Sequence, residues 1–240
     1  MPNIKVFQNE NELFDSTANF IIDLAAASIV ATGRFSIALS GGNTPEKLYA
    51  LLAQPVYAEQ IDWNKTFVFW GDERCVASDD PLNNAKMAKD LLLNKVPIPT
   101  ENIFETPVGL APAEGAIEYE RQIKFFFDDL SPKFDLILLG MGDNAHTASL
   151  FPGTNILNET TRLVKEVYVE EQKMFRITMT APLINHAHNI VFLLTGKAKA
   201  AILKTVLNTP YEPNKYPVQL IKPIKGKLYW FVDAEAASLL

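Results

Sequence analysis

The chain has 240 residues, 48% hydrophobic and 21% charged, enough to bury the core of one large domain or two small ones. A formal charge of −6 and an isoelectric point near 5.2 argue against a nucleic-acid partner or an anionic membrane surface, but allow a local Arg/Lys cluster for a small anion. The single cysteine, Cys75, excludes an internal disulfide; with no signal-like start and no apolar run of bilayer length, the expectation is a cytoplasmic protein without a membrane partner.

Residues 10–31 carry Leu13, Phe14, Thr17, Ile21, Leu24, Ala25 and Ser28 at helical spacing, with Gly33 as the stop. Phe35 to Leu39 is a short apolar strand leading into Ser40-Gly41-Gly42-Asn43-Thr44-Pro45. There Thr44 suits a cap and Pro45 the first position of a helix running to about Ala53. Thr66 to Trp70 is the next strand and runs into Gly71-Asp72-Glu73-Arg74. Residues 83–93 are helical by pattern, residues 103–106 suggest a short strand, and a helix covers about 113–127. Leu136 to Leu139 is continuously apolar, as a strand buried on both faces should be, and ends in Gly140 and Gly142 before Asp143, Asn144 and His146. Residues 163–169 and 175–179 form two strands around the polar Glu170-Glu171-Gln172-Lys173, which predicts a hairpin. Residues 189–194 are another buried strand, followed by Thr195-Gly196-Lys197 and an Ala-rich helix to about Leu207. Residues 208–217 are loop, and residues 228–232 close as a strand with a short helical tail. Strands alternating with helices predict one α/β domain over residues 1–240. Its expected form is a three-layer sandwich with a mostly parallel, Rossmann-like sheet, the hairpin being an embellishment.

Four strand ends carry candidate chemistry, each with a plainer reading. Ser40, Gly41, Gly42, Asn43 and Thr44 offer free N–H groups to an anion at a helix start, or simply turn the chain where glycine is needed. Asp72, Glu73 and Arg74 are a solvated loop unless Arg74 binds a carboxylate or phosphate. Lys197 is a surface lysine at an unfavourable helix end unless an anion sits there, and Arg176, inside an apolar strand, needs a partner. Gly140-x-Gly142-x-x-Ala145 formally fits a dinucleotide loop, but the segment up to Gly153 leaves room for barely two helical turns, so no nucleotide cofactor is expected. His186 and His188 have no cysteine or third histidine beside them and read as loop residues, not metal ligands. His146 is therefore the histidine placed where open α/β sheets hold their ligands.

The combination of Ser40 to Pro45, Gly71-Asp72-Glu73-Arg74, Gly140-Met141-Gly142 and His146-Thr147-Ala148-Ser149-Leu150-Phe151-Pro152-Gly153 resembles the 6-phosphogluconolactonases. Arg176 to Thr180 and Thr195-Gly196-Lys197 come next in the family's order. The resemblance spans about residues 36–232 and implies cofactor-free, metal-free hydrolysis of 6-phospho-D-glucono-1,5-lactone to 6-phosphogluconate; the chain itself leaves monomer or homodimer open. It implies His146 as general base and Arg74 or loop N–H groups as oxyanion donors. The phosphate would lie on Gly41 to Thr44, with Arg176 and Lys197 as counter-charges. The family commonly has Asp-Gly before this histidine, where Asn144 and Ala145 stand here; Asp143 is the nearest carboxylate in sequence. Two rivals remain. The related glucosamine-6-phosphate deaminases want a carboxylate shortly after the histidine, and none comes before Glu159. A sugar-phosphate-binding regulator would ordinarily carry a basic DNA-binding segment, which is absent.

Overall fold

The computed structural model describes residues 3–128 and 131–240. Its elements in chain order are β1 (Asn3–Phe7), α1 (Glu10–Thr32), β2 (Phe35–Leu39), α2 (Asn43–Leu52), α3 (Pro55–Ala58), β3 (Thr66–Trp70), β4 (Asp72–Arg74) and α4 (Asn84–Leu91). They continue with α5 (Pro112–Phe126), β5 (Leu136–Leu139), β6 (Val164–Val169), β7 (Met174–Met179), α6 (Ala181–Asn185), β8 (Asn189–Leu194), α7 (Ala200–Asn208) and β9 (Lys227–Asp233). Six strands form one parallel sheet in the order β1-β9-β8-β5-β2-β3, and β4-β7-β6 form a second, antiparallel sheet.

The apolar strands are continuous because each feeds two cores. Leu136 and Leu138 of β5 pack with α1, α2 and α4, while Ile137 and Leu139 join the core under α5, α7 and the second sheet. β2, β3 and β8 split the same way: Ile37 and Leu39 against Ala38, Val68 and Trp70 against Phe69, Val191 and Leu193 against Phe192. The predicted α/β sandwich is thus the observed one.

Helix α1 begins at Asn9, whose side chain accepts from Glu12 N–H at 3.0 Å. It stops at Gly33, whose φ of 82° lies in the left-handed region and whose N–H donates to Ile29 O at 2.9 Å. By length and composition α1 passes for a membrane-crossing helix, contrary to the sequence expectation. Its Leu13, Phe14, Ala18, Ile21 and Ala25 nonetheless belong to the core against the sheet.

Other boundaries differ from expectation for local reasons. Helix α2 starts at Asn43 with Gly42 (φ 104°) as cap, two residues before Pro45, because glycine alone reaches that backbone angle without strain. The segment at 103–106 makes only a bridge, Val68 to Ile103, and no strand. Nothing helical comes directly after β5, a 3-10 turn over Lys197–Lys199 precedes α7, and the C-terminal tail is a series of turns. Strand β1 escaped the sequence reading, its outer residues being exposed at the sheet edge. So did β4: Asp72 pairs with Thr178 and Arg74 with Arg176, turning the expected hairpin into a three-stranded sheet.

Candidate active site

The chain runs from β2 outward to β3, then crosses back to β5, β8 and β9 on the other side, so the topological switch lies between β2 and β5. Just past the carboxyl ends of these strands lies a cavity of about 470 Å³. Two buried tyrosines hold the strand ends behind it. Tyr49 Oη accepts from Ser40 N–H (3.0 Å) and donates to Ser40 O (2.8 Å). Tyr119 Oη does the same for Trp70, accepting at 2.7 Å and donating at 3.0 Å. Each hydroxyl satisfies both main-chain groups of a residue at a strand's end, where the sheet ladder stops.

Ser40, Gly41, Gly42, Asn43 and Thr44 line the cavity on one side, and no side chain caps the first turn of α2. Those N–H groups are open to an acceptor. Thr44 Oγ1 and Thr195 Oγ1 lie 3.0 Å apart, tying this loop to the end of β8. Gly41 is glycine for a steric reason, since a Cβ there would sit 1.9 Å from Asn84 Oδ1.

His146 sits half-buried across the cavity, its ring held on both sides. A Cβ on Gly142 would lie 2.0 Å from its Cε1, and Phe151 stacks on it at 4.0 Å between centroids with 16° between planes. Asn144 Oδ1 accepts from His146 N–H at 3.1 Å and lies 2.6 Å from His146 Nδ1. One atom that accepts a main-chain N–H must be the carbonyl oxygen of the amide, so Nδ1 carries the ring proton and Nε2 keeps its lone pair. Burial pushes the imidazole down to about 4; Asp72 opposes this, and Arg176 and Lys199 add to it. The ring is therefore neutral at pH 7. Ala145, where the family's pattern has glycine, adopts a φ of 61°, a left-handed angle that costs a non-glycine residue about 1 kcal/mol.

Buried Asp72 accepts from Ser149 Oγ at 2.5 Å and from Arg176 Nη1 at 3.2 Å, so the cation inside the apolar strand has its partner. Arg176 Nη2 also donates to Gln172 Oε1, and its guanidinium carbon lies 5.4 Å from the Phe151 ring centre. Arg74 donates from Nη1 to Leu82 O at 2.7 Å. The Nε atoms of Arg74 and Arg176 and the Oγ of Ser40 are buried without a partner among the described residues, and all three residues line the cavity. Such unpaired donors suit a polar ligand.

Two of the sequence candidates stand apart from the others. Lys197 is exposed and does not line the cavity; Lys199 does, because residues two apart in a 3-10 turn point in different directions. Asp143 does not serve His146; its side chain is 84% exposed and its Oδ1 lies 2.6 Å from Lys199 Nζ. Asn84 lines the cavity too and had no signal beyond a helix start. His186 lies elsewhere, its Nδ1 2.9 Å from Ser131 Oγ. With Lys47, Arg74, Arg176 and Lys199 against Glu10 and Asp72, cations outnumber carboxylates around the cavity.

Fold and cleft together define an α/β protein with a cation-rimmed cavity at its sheet switch, lined on one side by a neutral imidazole. The chain belongs to the family of glucosamine-6-phosphate isomerases and 6-phosphogluconolactonases, which it matches over residues 8–230. It is 39% identical to a 6-phosphogluconolactonase of Synechocystis over the whole of this chain and 98% of that protein. A similar relative from Nostoc, also a 6-phosphogluconolactonase, is 39% identical over 99% of this chain and 98% of its own length. Among solved structures, 6-phosphogluconolactonase from Trypanosoma cruzi superposes with a TM-score of 0.86 at 30% identity, covering 100% of this chain and 97% of that one. A monomeric glucosamine-6-phosphate deaminase superposes at 0.85 over 99% and 100%, but at 22% identity it shares the fold alone.

Proposed function

We propose that this chain hydrolyses 6-phospho-D-glucono-1,5-lactone to 6-phosphogluconate, without a cofactor, in the oxidative part of the pentose phosphate pathway in the cytoplasm. The observation that carries the reading is the His146 tautomer: Nδ1 engaged by Asn144, Nε2 unprotonated in a cavity ringed by cations. A water on Nε2 loses its proton to the imidazole as its oxygen attacks the lactone carbonyl. The carbonyl electron pair moves onto oxygen, and the Arg74 Nε–H, unpaired among the described residues, is suited to receive that charge. Collapse of the tetrahedral intermediate breaks the bond to the ring oxygen, which takes the proton back from His146 and leaves as a hydroxyl. Gly41 to Thr44 and the start of α2 hold the phosphate, with Lys199 in place of Lys197 and Arg176 completing the counter-charge.

The deaminase reading is weaker here because no carboxylate stands between Thr147 and Pro152, just after the histidine. The deciding experiment measures loss of the phosphorylated lactone against its spontaneous opening, for the parent and His146→Ala. Parent-level turnover in the variant would remove His146 from the mechanism. Absence of acceleration by the parent, with ammonia released from glucosamine 6-phosphate, would replace the reading.

A further inference from the structure

Glu73 lies 1% exposed directly behind the cavity, yet lactone hydrolysis by His146 makes no direct use of it. Its Oε1 accepts from the N–H groups of Arg74 and Asn84, both at 2.8 Å, and its Oε2 from Ala85 N–H at 2.8 Å. Asn83, the cap of α4, takes Lys86 N–H at 2.7 Å, so side chains satisfy the first three helical donors of α4. For a helix of 8 residues that is a complete cap, but the contacts reach further than capping requires. Arg74 and Asn84 both line the cavity, and Glu73 holds the main chain of both. The Asn84 amide donates to Asp72 O at 3.0 Å and fills the space over Gly41 that any Cβ would occupy.

We propose that Glu73 is a positioning residue for the anion site: its carboxylate pins the start of α4 to β4, setting Asn84 against the glycine loop and Arg74 beside it. The proposal deepens the lactonase reading and rests on it for the identity of the anion. Three N–H donors on two oxygens require both oxygens to accept, which the ionised carboxylate does best, since protonation turns one oxygen into an O–H donor with weakened acceptor capacity. Burial nevertheless pushes the Glu73 carboxyl up to about 7, the three N–H donors opposing and Asp72 adding to the shift. The other titratable groups that face it are Arg74 and Cys75 on its own segment, Arg176 on β7 and Tyr119 on α5. No cation bridges it among the described residues. Protonation as pH falls through about 7 converts one acceptor to a donor, breaks one of the three contacts and loosens the site.

The test is the affinity for 6-phosphogluconate by calorimetry at about pH 8 and about pH 6, with steady-state lactone hydrolysis alongside. Glu73→Gln offers one oxygen and an NH2 to three donors, so affinity at about pH 8 should weaken by about tenfold or more, with KM tracking it and kcat within about threefold. The parent-to-variant ratio should shrink toward about one at the lower pH, where the parent has itself lost the carboxylate. Asn84→Ala leaves every contact of Glu73 intact and should reproduce the loss of affinity; it decides the matter if Glu73→Gln does not fold. A lower Tm with unchanged affinity in Glu73→Gln, a ratio constant with pH, or parent-like affinity in Asn84→Ala overturns the proposal. A parent that binds 6-phosphogluconate without hydrolysing the lactone sinks the lactonase reading instead, and the affinity comparison still decides this one.

Discussion

Replacing Asn144 by Asp restores the carboxylate that the family's pattern places before the histidine. Asn144 Oδ1 lies 2.6 Å from His146 Nδ1, so an Asp oxygen in that place would meet the imidazolium with charge centres about 4 Å apart. At an effective dielectric constant of about 20, such a pair interacts by up to about 4 kcal/mol, and half-burial of both groups reduces this to roughly 2 kcal/mol. Since about 1.4 kcal/mol is one pKa unit, the imidazole should rise from about 4 by roughly one to two units. The assay is the pH profile of kcat at saturating lactone, corrected for spontaneous opening, which leaves out the loss of affinity expected from Glu73 near pH 7. The parent should keep its rate well below pH 6.5, the ordinary value for histidine, and the acid limb of Asn144→Asp should move up toward it. A more basic Nε2 should also lift the plateau by a few-fold, roughly fivefold for a Brønsted slope near one half. An acid limb that stays put would refute the claim that residue 144 sets the basicity of this ring, and one that moves down would refute the tautomer assignment as well.

Gly142→Ala places a Cβ 2.0 Å from His146 Cε1 and must displace the ring; kcat/KM should fall on the order of 10²-fold while the far-ultraviolet circular dichroism is unchanged. Lys199→Ala should raise KM for the phosphorylated lactone about tenfold, whereas Lys197→Ala should stay within about twofold, reversing the order expected from sequence. Arg176→Met strands the buried Asp72 carboxylate and should cost about 3–5 kcal/mol in urea unfolding, much of it recovered when Asp72→Asn is added. For His146 the native value near 4 lies below the ordinary 6.5, so the unfolded chain binds the proton first as pH falls. Its contribution is complete above about pH 6.5 and is lost between there and about pH 4. Unfolding of the parent and His146→Gln compared across that window should show a difference that is constant at higher pH and shrinks below it.

The sheet was legible because its signals are local. Continuous apolar runs such as Leu136 to Leu139, ended by glycine or charge, demand burial on both faces, and six parallel strands between two helical layers supply it. Strand ends collect at one edge of such a sheet, so Ser40 to Thr44 and His146 converge wherever in the chain they stand, while Arg74 and Arg176 reach the same cavity from the second sheet. What the sequence could not hold was direction and long-range partnership. Lys197 and Lys199 are alike as residues, and only the pitch of a 3-10 turn sends one outward and the other into the cavity. Asp72 and Glu73 look solvated in sequence; pairing with β7 and capping by Glu73 of a helix 11 residues away bury them. Asn144 could be read as a missing charge, but that its oxygen fixes the proton on Nδ1 depends on a turn that brings one amide oxygen to both main-chain and ring nitrogens. Periodicity and punctuation thus determined the frame, because burial of a strand or helix face is written every second or third residue. Tertiary structure decided the charges, because the state of a buried ionisable group depends on partners that chain spacing does not specify.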